Sequence, residues 1–516
     1  MESVIAALRD PASYPHPVDR VEVIETHISW VLLAGAYAYK VKKPVRLPFL
    51  DFSTLEARRA YCEEELRLNR RTAPELYLEV VPVAQTARGP AIAARGEPIE
   101  YAVKMRRFAA DALADDMARR GALGDAQIDS IAAVLAGFHA SAPRAAPAGE
   151  YGAAAQIAAP AIDNFAQIAA LGSDRAAAAR LGRLRAWTEG ECRRLEPVFA
   201  ARKAGGHVRE CHGDLHLGNI AFIGGRAVPF DCIEFDPALR WIDAMSEVAF
   251  VVMDLLAHRM QAAAWRLLNA WLEASGDYAG IAVLRFYLVY RALVRAKIAR
   301  IRSLDEPFRL YLGLAESLAG AGRPALLLMH GLSGSGKTTV SQAALERLGA
   351  VRVRSDVERK RLHGLAPGAR TSAGLDTGIY AAAASRRTYA HLADLAAGIL
   401  EAGYPAIVDA AFLQREQRDL FMRMAGRLGA SCAIAACTAP EAELRRRVMQ
   451  RAARSSEVSE AGAAVLEHQL AARNPFAKEE MPMVANVDTA SEDGVRRGLA
   501  EIGARLAARE EALAPH

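Results

Sequence analysis

The 516 residues give enough chain for roughly two to four domains, each with its own apolar core, which excludes a disulfide-held mini-scaffold. Apolar residues make up 52% and charged residues 24%, so neither wholesale disorder nor a fibrous repeat fits. Basic residues outnumber acidic ones by 65 to 60, a surplus that demands neither nucleic acid nor an anionic membrane as partner.

The longest apolar runs, 31–38 and 248–257, fall short of the ~20 residues that cross a bilayer, and the second contains Asp254. No membrane helix is expected. The N-terminus, MESVIAALRDPASY, lacks the features of a secretion signal. Cysteines at 62, 192, 211, 232, 432 and 437 form no CxxC pair, which suits a reducing, cytoplasmic setting.

From about 20 to 108 the chain alternates in strand fashion, interrupted by a helical stretch at about 54–71. HISWVLLAGAYAYKVKKPV predicts a hairpin turning near Gly35, with Lys40 and Lys42 on one strand face. In the helix, Leu55, Cys62, Glu65, Leu66 and Asn69 share a face from which Glu63 and Glu64 point away. An Ala-rich helical region covers about 111–204, and short strands around Ile220 and Val228 precede further helices to about 319. AGAGRP, ending at Pro324, is a linker, which divides the chain into domains 1–320 and 324–512. Beyond it, ALLLMH, AIVDAAF and CAIAAC alternate with helical patterns and predict a parallel sheet.

Two segments carry chemistry. Cys211 to Ile220 reads CHGDLHLGNI, and PFDCIEFD follows from Pro229. HxDxxxxN places His212, Asp214 and Asn219 in one loop, with Asp231 after the next strand. Phosphoryl transfer needs one carboxylate to orient the acceptor hydroxyl, plus an amide oxygen and a second carboxylate to hold Mg²⁺ against ATP. Asp214, Asn219 and Asp231 fit those roles, with His212 supporting the loop; isolated Asp and Asn residues also cap turns.

The pattern HGDLHLGN resembles the aminoglycoside phosphotransferase and choline kinase superfamily. That resemblance implies a two-lobed, protein-kinase-like fold, with Lys40 as the phosphate-holding lysine and Glu65 as its partner. By the same analogy YAVKMRRF links the lobes, and the helical half, with Trp241, Asp243 and Asp254 as candidates, builds the acceptor pocket. The GxGxxG loop of protein kinases is missing, which argues against a protein kinase.

The second segment, GLSGSGKT at 331–338, matches the phosphate-loop pattern GxxxxGK[ST] between a strand and a helix. Backbone N–H groups of Gly331, Ser333, Gly334, Ser335 and Gly336 would curl around phosphate, Lys337 would meet the β- and γ-phosphates, and Thr338, followed by Thr339, would reach Mg²⁺. Asp356 sits after a second strand, placed to orient an acceptor hydroxyl. Asp409 ends a third strand, where it contacts Mg²⁺ or serves as a strand-end cap. Arg447, Arg451 and Arg454 share a helix face that either closes over phosphate or is simply solvated. This region resembles small P-loop kinases of the gluconate-kinase-like and zeta-toxin-like kind, which implies an acceptor role for Asp356, with Arg359 nearby.

Together the halves resemble bifunctional aminoglycoside phosphotransferase/ATP-binding proteins. The expectation is α/β and α+β architecture: a protein-kinase-like domain followed by a P-loop parallel-sheet domain. The function expected is ATP- and Mg²⁺-dependent phosphorylation of small hydroxylated acceptors at two nucleotide sites; nucleic acid is not an expected partner, although a polynucleotide end stays open as an acceptor. The alternatives are a regulatory ATP-binding domain or a toxin-like P-loop kinase restrained by the N-terminal domain. No acidic cluster in the acceptor region matches a polycationic drug, so drug resistance is not expected.

Overall fold

The computed structural model describes residues 1–47, 50–172, 174–320, 322–366, 369, 378–452 and 463–513. By packing the chain divides into two units, one of residues 1–254 with 294–304 and the other of 255–293 with 305–516.

In the first unit, strands Val21–Glu25, Ser29–Ala34, Tyr37–Lys42, Pro98–Arg106, Tyr77–Thr86 and Gly89–Ile92 form one antiparallel sheet in that spatial order. Alternation decides its two faces. Tyr39 and Val41 join Leu32, Val81, Val83 and Ala102 in one core. Lys40 and Lys42 face the other way, towards helix Leu55–Asn69, whose first turn is capped by the Thr54 hydroxyl accepting from Ala57 N at 3.1 Å. Cys62, Tyr77 and Val103 pack together on that side. Helices Asp125–Ser141 and Arg175–Ala204 follow, then two short ladders: Val208–Glu210 with Trp241–Asp243, and Ile220–Ile223 with Arg226–Pro229. A strand-rich lobe with a single long helix, followed by a helical lobe whose short ladders flank the HGD loop, is the protein-kinase-like arrangement.

The second unit holds a parallel sheet in the order Val351–Arg354, Ala406–Asp409, Ala325–His330, Ser431–Thr438, Val484–Asp488. Helices cover both faces, so its strands are almost continuously buried. Leu327, Met329, Ile407, Ala433 and Val487 lie in its core with Ile502. Helix Gln261–Ser275, from the sequence before the linker, packs in this unit against helix Lys337–Leu348 and brings Trp265 onto the same core. Among the described residues no helix is long and apolar enough to cross a membrane.

Candidate functional site

The first site begins with two lysines on one strand. Lys40 donates to Glu65 Oε1 at 2.9 Å and Lys42 to Glu65 Oε2 at 2.7 Å, so one buried carboxylate holds both. Glu63 and Glu64 instead bond Arg59 and Arg67. Lys40 also reaches Asp231 at 2.5 Å, and Lys42 pairs with Glu234. Burial opposes the charge on Lys40, but Asp231 and Glu65 outweigh it and hold the ammonium well above its usual range. Burial likewise opposes ionisation of Asp231, and Lys40 overcomes it, keeping the carboxyl below its usual range. Asp231 adopts a left-handed φ of 64°, a conformation Asp tolerates better than most residues and one that occurs at functional sites.

The ladder Ile220–Ile223 with Arg226–Pro229 brings the two candidate Mg²⁺ ligands together. Ile220 lies opposite Pro229, and Phe230 N donates to Asn219 O at 3.0 Å, so Asn219 and Asp231 emerge at one end. The Asn219 amide nitrogen donates to Asp214 O at 2.9 Å, which leaves its oxygen as the acceptor for a cation. His212 is buried, its Nε2 2.7 Å from Phe230 O, and burial lowers its pKa. As a neutral ring donating to that carbonyl, it ties the loop to the Phe230 segment.

Glu247, buried in helix Ala244–Ala257, accepts from His212 N at 2.7 Å and Gly213 N at 2.8 Å, and bonds His139 Nε2 at 3.0 Å. It fixes the loop preceding Asp214. The sequence analysis passed over it, although a charged residue within the apolar stretch AMSEVAFVVM signals a buried, partnered group. Two acceptor-pocket candidates are likewise committed to packing: Asp243 bonds Arg202 at 2.6 Å, and Asp254 accepts from Leu217 N at 2.9 Å. Trp241 stacks on Tyr151 with centroids 5.7 Å apart. YAVKMRRF lies within the sheet up to Arg106.

The second site is the turn after strand Ala325–His330. Gly331 and Gly334 have φ of +148° and +81°, and a Cβ at Gly331 would come within 2.6 Å of Cys437 O, so only glycine fits this tight loop. Lys337 folds back onto Gly331 O and Leu332 O, both at 2.9 Å. Ser335 Oγ is buried without a hydrogen-bond partner, a donor awaiting an acceptor inside the loop. Gly336 precedes the helix, and Thr338 and Thr339 are exposed on its first turn. Gln469, which the motif did not reveal, accepts from Ser333 N at 2.7 Å and so occupies one N–H of the cradle.

Strand register pairs Arg354 with Asp409, which sets Asp356, in the first turn of helix Ser355–Leu362, at the same end of the sheet. Asp409 is buried and accepts from Ser341 Oγ at 3.1 Å; Ser341 in turn accepts from Arg352 Nη1 at 3.2 Å. Arg359 is buried over the Tyr380 ring and donates to Ile379 O at 2.9 Å, with its Nε unpartnered. Arg447 is spent on backbone, donating to Gly334 O of the loop at 3.3 Å and to Thr489 O, after strand Val484–Asp488, at 2.8 Å. The Arg451 side chain and Arg454 lie outside the described residues.

Residues 326–476 match a family model described as an AAA domain. An uncharacterized protein of Mycobacterium tuberculosis is 29% identical over 460 residues, covering 87% of this chain and 91% of its own length. A choline/ethanolamine kinase family protein from Mesorhizobium loti aligns with 61% of this chain and 93% of its own, at 13% identity and a TM-score of 0.38. A gluconokinase from Sinorhizobium meliloti 1021 aligns with 37% of this chain and 97% of its own, at 21% identity and a TM-score of 0.27. The segment that matches the AAA domain model holds the phosphate loop and four of the five strands of the parallel sheet.

Proposed function

We propose that the protein is an ATP- and Mg²⁺-dependent phosphotransferase with two nucleotide sites, each passing the γ-phosphoryl group to a hydroxyl of a small acceptor. The observation that carries this reading is the Lys40, Glu65, Asp231 cluster beside the Asp214 and Asn219 loop: a phosphate-binding cation, its orienting carboxylate, a cation-binding pair and a base converge.

At the kinase-like site Asn219 and Asp231 would hold Mg²⁺. The donor set fits a hard cation, being an amide oxygen and a carboxylate kept anionic. Bound there, Mg²⁺ neutralises phosphate charge. Lys40, oriented by Glu65, binds the α- and β-phosphates. Asp214 orients the acceptor hydroxyl, whose oxygen attacks the γ-phosphorus as the bond to the bridging oxygen of ADP breaks, and Asp214 receives the hydroxyl proton. At the P-loop site Lys337 and the loop amides bind phosphate, Thr338 and Asp409 suit Mg²⁺, and Asp356 orients the acceptor.

The test is acceptor-dependent ADP release from the full chain against pooled sugars, nucleosides, polyols and aminoglycosides, in the parent, Asp214→Ala and Lys337→Ala. Release lost in one variant assigns the acceptor to that domain. If release is unchanged in both variants, the proposal fails.

A further inference from the structure

The mechanism leaves Lys42 and Glu234 without a task. Lys42 is 1% exposed and Glu234 4%, so neither touches substrate. A buried ion pair is a poor way to gain stability, because desolvation offsets the attraction and an apolar pair of similar shape serves as well or better. Geometry is the better explanation. Every residue from Phe230 to Glu234 is tied down: Phe230 N to Asn219 O at 3.0 Å, Asp231 N to Tyr77 Oη at 3.1 Å, Cys232 N to Asn69 Oδ1 at 2.9 Å, Ile233 N to His212 O at 3.1 Å, and the Glu234 carboxylate to Lys42. Two of these residues bond the strand Tyr37–Lys42 through their side chains, Asp231 at Lys40 and Glu234 at Lys42. The first contact must open when Asp231 turns to a cation and Lys40 to phosphate. The second needs no such change.

We infer that the Lys42–Glu234 pair is a positioning device: it ties the lysine strand to the Asp231 segment and thereby sets the Mg²⁺ affinity of the kinase-like nucleotide site. The inference rests on the nucleotide-site reading proposed above. Lys42 has a second part in it. With Lys40 drawn to phosphate, Lys42 still neutralises and orients Glu65 through Oε2 at 2.7 Å. Two ammoniums meet three carboxylates in the cluster, Lys40 and Lys42 against Glu65, Asp231 and Glu234, and the surplus negative charge suits an incoming cation. Removing the Lys42–Glu234 pair as a unit leaves that surplus unchanged, so a shift in the Mg²⁺ response of the variant does not come from net charge.

The experiment uses the full chain carrying Lys337→Ala, which silences the P-loop site, and follows ATP binding by calorimetry across a Mg²⁺ series. Lys42→Met with Glu234→Gln removes both members of the pair and leaves Glu65 held by Lys40 alone. It is expected to raise the Mg²⁺ concentration for half-maximal effect about tenfold, more than it weakens ATP affinity at saturating Mg²⁺. Glu234→Gln alone, which keeps Lys42 on Glu65, should move the same midpoint about threefold and serves if the double variant does not fold. An unmoved Mg²⁺ midpoint in a variant that still binds ATP overturns the inference alone. No ATP binding in the Lys337→Ala parent overturns the kinase-like nucleotide site itself, and the inference with it.

Discussion

The Asn269 side chain stands where a further strand of the parallel sheet would lie: its oxygen accepts from Arg352 N at 2.6 Å and its amide nitrogen donates to Ala350 O at 2.8 Å. Val351–Arg354 is the edge strand, and this one amide satisfies the open Arg352 N–H within it and the Ala350 carbonyl just before it. One turn further along the same helix, Glu273 accepts from Arg354 at 2.7 Å, beside the helix that carries Asp356. The P-loop unit therefore depends on residues encoded well before its motif.

Asn269→Ala should leave a buried N–H and a buried C=O unpaired, at about 1–3 kcal/mol for each group. Urea unfolding of the full chain, followed through Trp265 on this unit's core, should show an earlier transition. A fragment starting at residue 324 lacks both Asn269 and Trp265 and, followed by circular dichroism, should unfold earlier still. Unchanged midpoints would show that the edge needs no such cover.

Glu247→Ala should strand the N–H groups of His212 and Gly213 and let the Asp214 loop drift. Misplacement on the order of 1 Å costs about 100-fold in turnover, and ATP affinity, which the proposed function assigns to Lys40 and Asp231, should hold within a few-fold. Steady-state kinetics with the acceptor found by the screen, alongside calorimetry with ATP, separates the two effects. An equal loss in both would mean that Glu247 supports the whole lobe rather than the loop.

Asp214→Asn keeps the shape of the loop and removes the proton acceptor, so kcat at the kinase-like site should fall about 10²- to 10⁴-fold with little change in ATP binding. Retained turnover would remove Asp214 from the base role.

Burial, aided by the nearby cations Arg418 and Lys337, lowers the His330 pKa to about 4. In the unfolded chain its pKa is about 6.5, so the unfolded state takes up the proton first as pH falls. The stability His330 contributes is then present above about pH 6.5 and is lost on the way down to about pH 4. Urea midpoints measured from pH 7 to 4 should fall more steeply for the parent than for His330→Leu. Parallel pH profiles would contradict the shift.

Both candidate-site loops were legible because their motifs are local: GLSGSGKT and HGDLHLGN each compress a pattern into a short stretch whose spacing dictates geometry. The Lys40 and Glu65 contact was legible because the resemblance asks for a lysine and a glutamate and period selects them: the strand period puts Lys40 and Lys42 on one face and the helix period turns Glu65, not its neighbours, inwards. What stayed hidden depends on long-range contacts. Glu247 lies 35 residues from the His212 N–H it binds, and Asn269 lies 83 residues from Arg352. Gln469 reaches Ser333 from 136 residues away, and no spacing rule spans such separations. The edge strand at Val351 was legible as a strand, but its cover was not, because the helix that supplies it reads as part of the preceding domain.

The number of nucleotides bound tests the two-site proposal most directly. Calorimetry with a non-hydrolysable ATP analogue and Mg²⁺ on the full chain should give two equivalents in the parent and one in either Lys337→Ala or Lys40→Ala, with the double variant binding none. A single equivalent in the parent, lost completely in one of the single variants, would contradict the two-site account.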